Sequence, residues 1–137
     1  MDNNGKITED VAKLLENKNF VFLATLMNDG SPQITPTWVD VQGDKILINT
    51  AEGRVKHKNV SRDPRVAISV IDQSNPYNMV TIRGAVEELI TEGADEHIDK
   101  LAKKYLGMDK YPFRSPTEKR IILKIKPTKI FHQKPQR

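Results

Sequence analysis

The residues best able to do chemistry lie between Asn49 and Asn59, in the stretch NTAEGRVKHKN. The pattern predicts a strand ending at Thr50, a turn at Gly53 and a short helix opening near Arg54. A helix start leaves backbone N–H groups without acceptors and carries partial positive charge, so it attracts anions. Arg54 and Lys56 fall in the first turn, with Val55 between them. Cations there oppose the helix dipole and are unfavourable unless an anion joins them. Thr50 can add a hydroxyl. From Arg54 to Arg65 five basic residues stand against one acid, Asp63. A solvated basic face would have the same composition, and it is the placement at a helix start that favours a bound anion.

A second stretch, QITPTW, runs from Gln33 to Trp38. Pro36 donates no N–H, so it is expected to break the strand ladder and leave spare backbone groups. Gln33, Thr35 and Thr37 alternate around it, a surface that can hydrogen-bond the edge of a flat heterocycle. An ordinary edge-strand proline would read the same way. The loop SNPY, residues 74–77, carries one ring, Tyr77, that can reach a neighbouring subunit. Catalysis by protein groups alone finds little support. His57, His97 and His132 lie in unrelated elements, without metal-ligand spacing, and His97 is expected on a polar helix face. No serine is paired with a histidine as a nucleophile, so the catalytic residue is left unassigned.

These residues need elements to position them. Thr8 is placed to N-cap a helix carrying Val11, Leu14 and Leu15 on one face. Residues 20–27, FVFLATLM, read as a strand buried on both faces. Turns at residues 28–31 and at Gly43-Asp44 make 20–27, 32–41 and 45–50 an expected antiparallel meander, with 45–50 central. A helix over 55–60 should close at Asp63-Pro64. Strands follow at 65–72, with Val66, Ile68 and Val70 on one face, and at 79–90, with a bulge at Gly84. A loop over 73–78 separates them. Residues 92–106 form a helix with an Ile98, Leu101, Ala102 and Tyr105 stripe and a C-cap at Gly107. The last strand, 120–131, is bent or interrupted at Pro127. Six largely antiparallel strands with short flanking helices make a mainly β, α+β fold. Their apolar character should close or nearly close them into a barrel. Phe22, Trp38 and Ile82 are the residues expected to face a second subunit.

Composition narrows the function further. The chain has 137 residues, enough for one domain spanning 1–137. Cysteine is absent, which excludes disulfides, thiolate metal sites and cysteine nucleophiles. No apolar run approaches the ~20 residues that span a membrane. The polar opening, residues 1–6, does not resemble a secretory signal, so a cytoplasmic protein is expected. Twenty-two basic against eighteen acidic residues give +4, compatible with a phosphate-bearing ligand. The 6% aromatic content and lack of a basic-aromatic motif argue against a nucleic-acid partner.

The runs LATLMNDGSPQITPTWVD, ILINTAEGRVKHKNVSRDPRVAISVID and NPYNMVTIRGAVEE resemble the pyridoxamine-5'-phosphate-oxidase-like superfamily. They are most similar to its branch of coenzyme F-420-dependent (deazaflavin) oxidoreductases. The resemblance implies a six-stranded antiparallel split β-barrel that pairs as a homodimer, with cofactor clefts at the interface. It implies that Arg54 and Lys56 hold the cofactor phosphate. It also implies that Gln33, Ile34, Thr35, Pro36, Thr37, Thr50 and Ala51 flank the ring and ribityl chain, and that Tyr77 and Asn78 approach from the partner. Lys58, Arg62 and Arg65 would suit the acidic tail of F-420. The ending IFHQKPQR does not match the Arg/His substrate motif of pyridoxamine phosphate oxidases proper, which argues against vitamin B6 oxidation. The implied activity is hydride transfer from reduced F-420 to a small conjugated acceptor. An FMN-dependent oxidoreductase and a non-catalytic cofactor carrier stand as alternatives.

Overall fold

The computed structural model describes residues 2–135. In chain order the elements are β1 (Asp2–Asn3), α1 (Glu9–Glu16), β2 (Val21–Leu26), β3 (Pro32–Thr37), β4 (Asp40–Gln42), β5 (Lys45–Ala51), α2 (Val55–Arg62), β6 (Arg65–Asp72), β7 (Asn75–Ile90), α3 (Ala94–Leu106) and β8 (Arg120–Gln133). Seven strands pair in the order β3-β2-β6-β7-β8-β5-β4, and β1 adds to β8. Every pairing is antiparallel. The fold is therefore mainly β, as expected. No helix among the described residues is long and apolar enough to cross a membrane.

The path has seven strands rather than six because the run 32–41 divides. Its first part, β3, pairs with β2; its second, β4, pairs with β5 at the opposite end of the sheet. The expected meander therefore holds for β2–β3 and for the β4–β5 hairpin but not between β3 and β5. Strand β5 is next to last in the order, and β7 occupies the middle. Only Trp38 and Val39 join the two ends. Three residue steps of extended chain cover roughly 10 Å, so the sheet must curl until its ends meet. Strand β4 covers only Lys45–Leu47 of β5. The rest of β5 stands across an opening from β3, and this opening is the split in the barrel.

The barrel interior is filled by the alternating side chains of each strand. Val21, Leu23, Ile46, Ile48, Ile68, Val80, Leu123 and Ile125 share one cluster with Val11, Leu14 and Leu15 of α1. Each buried aliphatic side chain of this size contributes about 1.5–3 kcal/mol. Thr8 Oγ1 accepts the Val11 N–H at 3.3 Å, the expected N-cap. Ile82 belongs to this cluster, not to the surface, because it alternates inward with Val80. Strand β2 is not buried on both faces. Phe22 is 43% exposed, and across the ladder it pairs with Pro36 and Ser69, while Ala24 pairs with Ile34 and Ala67. Paired residues share a face, so β3, β2 and β6 present a continuous, largely apolar outer surface.

Three other local expectations change. Pro36 does not break its ladder, since the β2–β3 register runs unbroken from Leu26↔Pro32 to Val21↔Thr37. Strand β3 ends the sheet order, so the nitrogens of Pro32 and Pro36 face its free edge, where no ladder donor is needed. Pro127 marks an irregularity in β8 without interrupting the strand. It sits opposite Gly84 at a register shift, where a Cβ on Gly84 would overlap the Lys126 carbonyl oxygen. Strand β7 begins at Asn75 because the Asp72 carboxylate accepts both the N–H and the hydroxyl of Ser74, tightening the connection to a short turn.

The link Trp38–Val39 belongs to neither strand, so α3 satisfies its backbone. The Tyr105 hydroxyl accepts the Val39 N–H at 3.1 Å and donates to the Asn19 carbonyl at 2.7 Å. Lys104 Nζ donates to the Val39 and Leu15 carbonyls at 2.8 and 2.7 Å. Burial pulls the Lys104 ammonium down to about 8 and pushes the Tyr105 phenol up to about 12. Trp38 stacks on Tyr105, 5.2 Å between ring centroids, rather than facing outward. Tyr105→Phe should cost about 1–3 kcal/mol in denaturant unfolding, because it strands the buried Val39 N–H and Asn19 carbonyl. An unchanged midpoint would mean that the link is held without α3.

Candidate functional site

The split is lined on one side by β3 and on the other by the start of α2. A cavity of 380 Å³ there brings together Gln33, Thr35, Arg54, Val55 and Lys56, with Thr25 of β2. The strand places Gln33, Thr35 and Thr37 on one face by simple alternation. Arg54 is the extended N-cap residue of α2, and no acid lies in the helix's first turn. His57 turns back so that its Nδ1 accepts the Gly53 N–H at 3.0 Å, which takes one loop amide out of play.

The charges do not balance locally. Glu118 accepts from Arg54 Nη2 at 2.7 Å through one oxygen and from Arg120 Nη1 at 2.6 Å through the other. One carboxylate thus serves two guanidiniums. Burial alone would raise the Glu118 carboxyl, but hydrogen bonds and charge from Arg120 and Arg54 outweigh it and hold the group below its ordinary range. Lys56 is half-buried and has no acidic partner among the described residues. Burial first, then Arg54 and Arg120, lower its pKa. Two guanidiniums therefore share one carboxylate and Lys56 has none, leaving two positive charges around the cavity. A phosphate dianion would balance them and relieve the penalty on Lys56.

A second cavity, of 190 Å³, adjoins the first through Arg54. It contains Pro36, Thr37, Trp38, Asn49 and Arg120. The other expected site residues lie elsewhere. Ile34 is 61% exposed on the outer face. Thr50 and Ala51 are buried, and the Thr50 hydroxyl has no hydrogen-bond partner among the described residues. Tyr77 is exposed at a separate cavity beside Phe131. Asn78 Oδ1 accepts from His132 Nε2 at 2.7 Å. Within one chain neither Tyr77 nor Asn78 lines the Arg54 cavities.

Sequence reasoning missed Glu118, Arg120 and Asn49. The available signal was the two-residue spacing of Glu118 and Arg120, which puts both on one side of an extended chain. His97 was misplaced: it is buried rather than on a polar face. Its Nδ1 lies 3.1 Å from Asn49 Nδ2 and its Nε2 lies 3.0 Å from Asp40 Oδ2. Burial raises the Asp40 carboxyl, but hydrogen bonds from His97 and Lys100 outweigh it and hold the group low. Among the described residues no His, Cys, Asp and Glu cluster could hold a metal ion.

Comparison with known proteins agrees with this architecture. The family model described as pyridoxamine 5'-phosphate oxidase matches residues 7–134. A solved structure named an F-420 reductase is 31% identical, with a TM-score of 0.77, over 87% of this chain and 94% of that one. A putative pyridoxamine 5'-phosphate oxidase from Listeria innocua is 19% identical with a TM-score of 0.71, covering 93% and 98% of the two chains. Another, from Lactobacillus delbrueckii, is 23% identical with a TM-score of 0.67, covering 94% and 96%. The last two share the fold.

The unsatisfied Thr50 hydroxyl generates a direct test. Thr50→Val keeps the shape and removes an unpaired buried polar atom, so stability should hold or rise by up to about 1 kcal/mol. Anion binding, followed by titration calorimetry with phosphate, should not change. A weakened titration would place the hydroxyl at the ligand.

Proposed function

Because the chain belongs to the pyridoxamine 5'-phosphate oxidase family, we propose that it is an oxidoreductase that grips reduced coenzyme F-420 by its phosphate and serves a small conjugated acceptor. The observation that carries this reading is Lys56: half-buried, without an acidic partner among the described residues, and beside two arginines that share one carboxylate. Arg54 and Lys56 would bracket the phosphate, with the first amides of α2 behind it. Val55 and the Gln33, Thr35 and Thr37 face would line the path of the ribityl chain. The free edge of β3, with Ile34 as its one N–H between two prolines, would meet the ring edge. When bound, the cofactor would supply a hydride with its electron pair, and solvent would supply the proton that completes reduction of the acceptor. The protein's part is to orient both partners and exclude water.

F-420 is preferred over FMN because the relative at 31% identity is named an F-420 reductase. Lys58, Arg62 and Arg65 extend the basic surface along and beyond α2, where an acidic tail would run; of these, Arg65 is already paired with Asp63 and Arg62 donates to the Leu26 carbonyl and Asn59 Oδ1. Lys56→Ala should weaken cofactor binding about 10- to 100-fold in calorimetry, with Arg54→Ala similar and the pair less than additive. Lys58→Ala should weaken F-420 but not FMN. Wild-type affinity in both Lys56→Ala and Arg54→Ala would reduce the cluster to a solvated face and remove the reading.

The proposal includes a homodimer. The outer face bearing Phe22 and Ile34 would be covered by a second copy. Tyr77 and Asn78 would then come to the cleft from the partner. Light scattering should report about twice 15.6 kDa. A mass of 15.6 kDa at every concentration would rule out a site shared between copies.

A further inference from the structure

The cavity on the far side of Arg54 from Lys56 is built differently from the phosphate cleft. Its walls are aromatic: Phe20, Trp38, Tyr111 and Phe113 all line it. Tyr111 meets Trp38 edge-on at 6.0 Å and Phe113 at 5.7 Å. The chain has only one tryptophan, three tyrosines and four phenylalanines, so this is a strong concentration of rings. Arg120 also lines the cavity, with its guanidinium 5.2 Å from the Tyr111 ring centre. Arg120 is only 6% exposed, yet the sole acid it contacts among the described residues is Glu118, which also binds Arg54. Its Nη2 group has no partner among the described residues, which leaves donors for a ligand.

Arg120 is held in place by a chain of hydrogen bonds. Asn49 Oδ1 accepts from Arg120 Nε at 2.8 Å. That fixes the amide's orientation, so Nδ2 donates to the Ala94 carbonyl and to His97 Nδ1. His97 Nδ1 is therefore the acceptor, and Nε2 carries the proton that Asp40 receives at 3.0 Å. A buried cation fixed this firmly, with donors to spare and flat walls around it, is organised to receive a planar anion.

We propose that this cavity is an acceptor subsite for a planar conjugated carboxylate, with the ring among the aromatic side chains and the carboxylate on Arg120. It rests on the cofactor reading above and names the acceptor class for it. Its 190 Å³ suits one ring with a short side chain better than a fused tricyclic cofactor ring. Aromatic walls alone would accept neutral rings equally, so charge selection is the distinguishing property.

The probe is cinnamate, with cinnamamide as the neutral counterpart of the same shape. Trp38 is the only tryptophan, so its single indole N–H resonance reports this cavity in a proton–nitrogen NMR spectrum. Cinnamate should shift that resonance and bind at least about tenfold more tightly than cinnamamide. Phe113→Ala removes an exposed wall ring without touching the core and should weaken both ligands. Arg120→Gln should abolish the preference for the acid. Should that variant not fold, the acid-to-amide ratio in the wild type and the Phe113→Ala result decide the question. Equal binding of acid and amide, or no movement of the Trp38 resonance, would overturn the proposal. So would competition between cinnamate and saturating F-420 or FMN, because the cavity would then seat the cofactor ring itself. Lys56→Ala should spare the cinnamate response while weakening the cofactor. If it spares both, the phosphate assignment fails and the subsite stands; if cofactor binding behaves as expected but cinnamate does not, the subsite alone fails.

Discussion

A link of two residues, Trp38–Val39, joins strands from opposite ends of one sheet, and the remainder of the molecule follows from that constraint. An open sheet of this size would bury one face only. Holding its ends within about 10 Å curls it around a single interior, where Ile46, Ile48, Ile68, Val80 and Leu123 meet. The link itself has no ladder to join. Helix α3 supplies the missing partners through Tyr105 and Lys104, and Trp38 is then stacked on the helix. The same contacts that close the barrel thus fix one wall of the adjoining cavity.

Closure is incomplete, and the incompleteness is where chemistry becomes available. Because β4 reaches only three residues along β5, the remainder of β5 and the free edge of β3 stand apart. A strand edge without a partner normally invites aggregation. Here Pro32 and Pro36 remove two donors from it, and α2 brings Arg54 and Lys56 to its mouth. The opening is therefore polar and cationic rather than sticky. Burial first, then the charges of Arg54 and Arg120, lower the pKa of Lys56, and an anion at the mouth would offset that cost.

Behind the cationic rim, a buried polar chain ties three elements together. Asp40 comes from β4, Asn49 from β5 and His97 from α3, and the chain ends on Arg120 of β8. Asp40, His97 and Asn49 each have a side-chain partner, and Arg120 is held through Nε and Nη1, so the chain rigidifies the site. It also explains why a histidine assigned to a polar face is buried: the face is polar because it meets Asp40 and Asn49, not because it meets water.

The sequence by itself determined the local chemistry. Thr8 as a cap, the turns at Asp29-Gly30 and Gly43-Asp44, the inward Val66, Ile68 and Val70, the bulge at Gly84 and the cationic start of α2 all depend on neighbours a few residues away. Such features obey short-range rules of hydrogen bonding and side-chain alternation, so they are legible in one dimension. The tertiary structure decided what depends on distant pairing. It divided 32–41 between two sheet ends, made Pro36 an edge residue, drew Ile82 inward and left Phe22 outside. It also assembled Arg54, Glu118 and Arg120 into one charge cluster from positions separated by 64 and 2 residues. No local pattern encodes that meeting, because the energy that brings Glu118 to Arg54 comes from the pairing of β5 with β8 and not from either residue's neighbours.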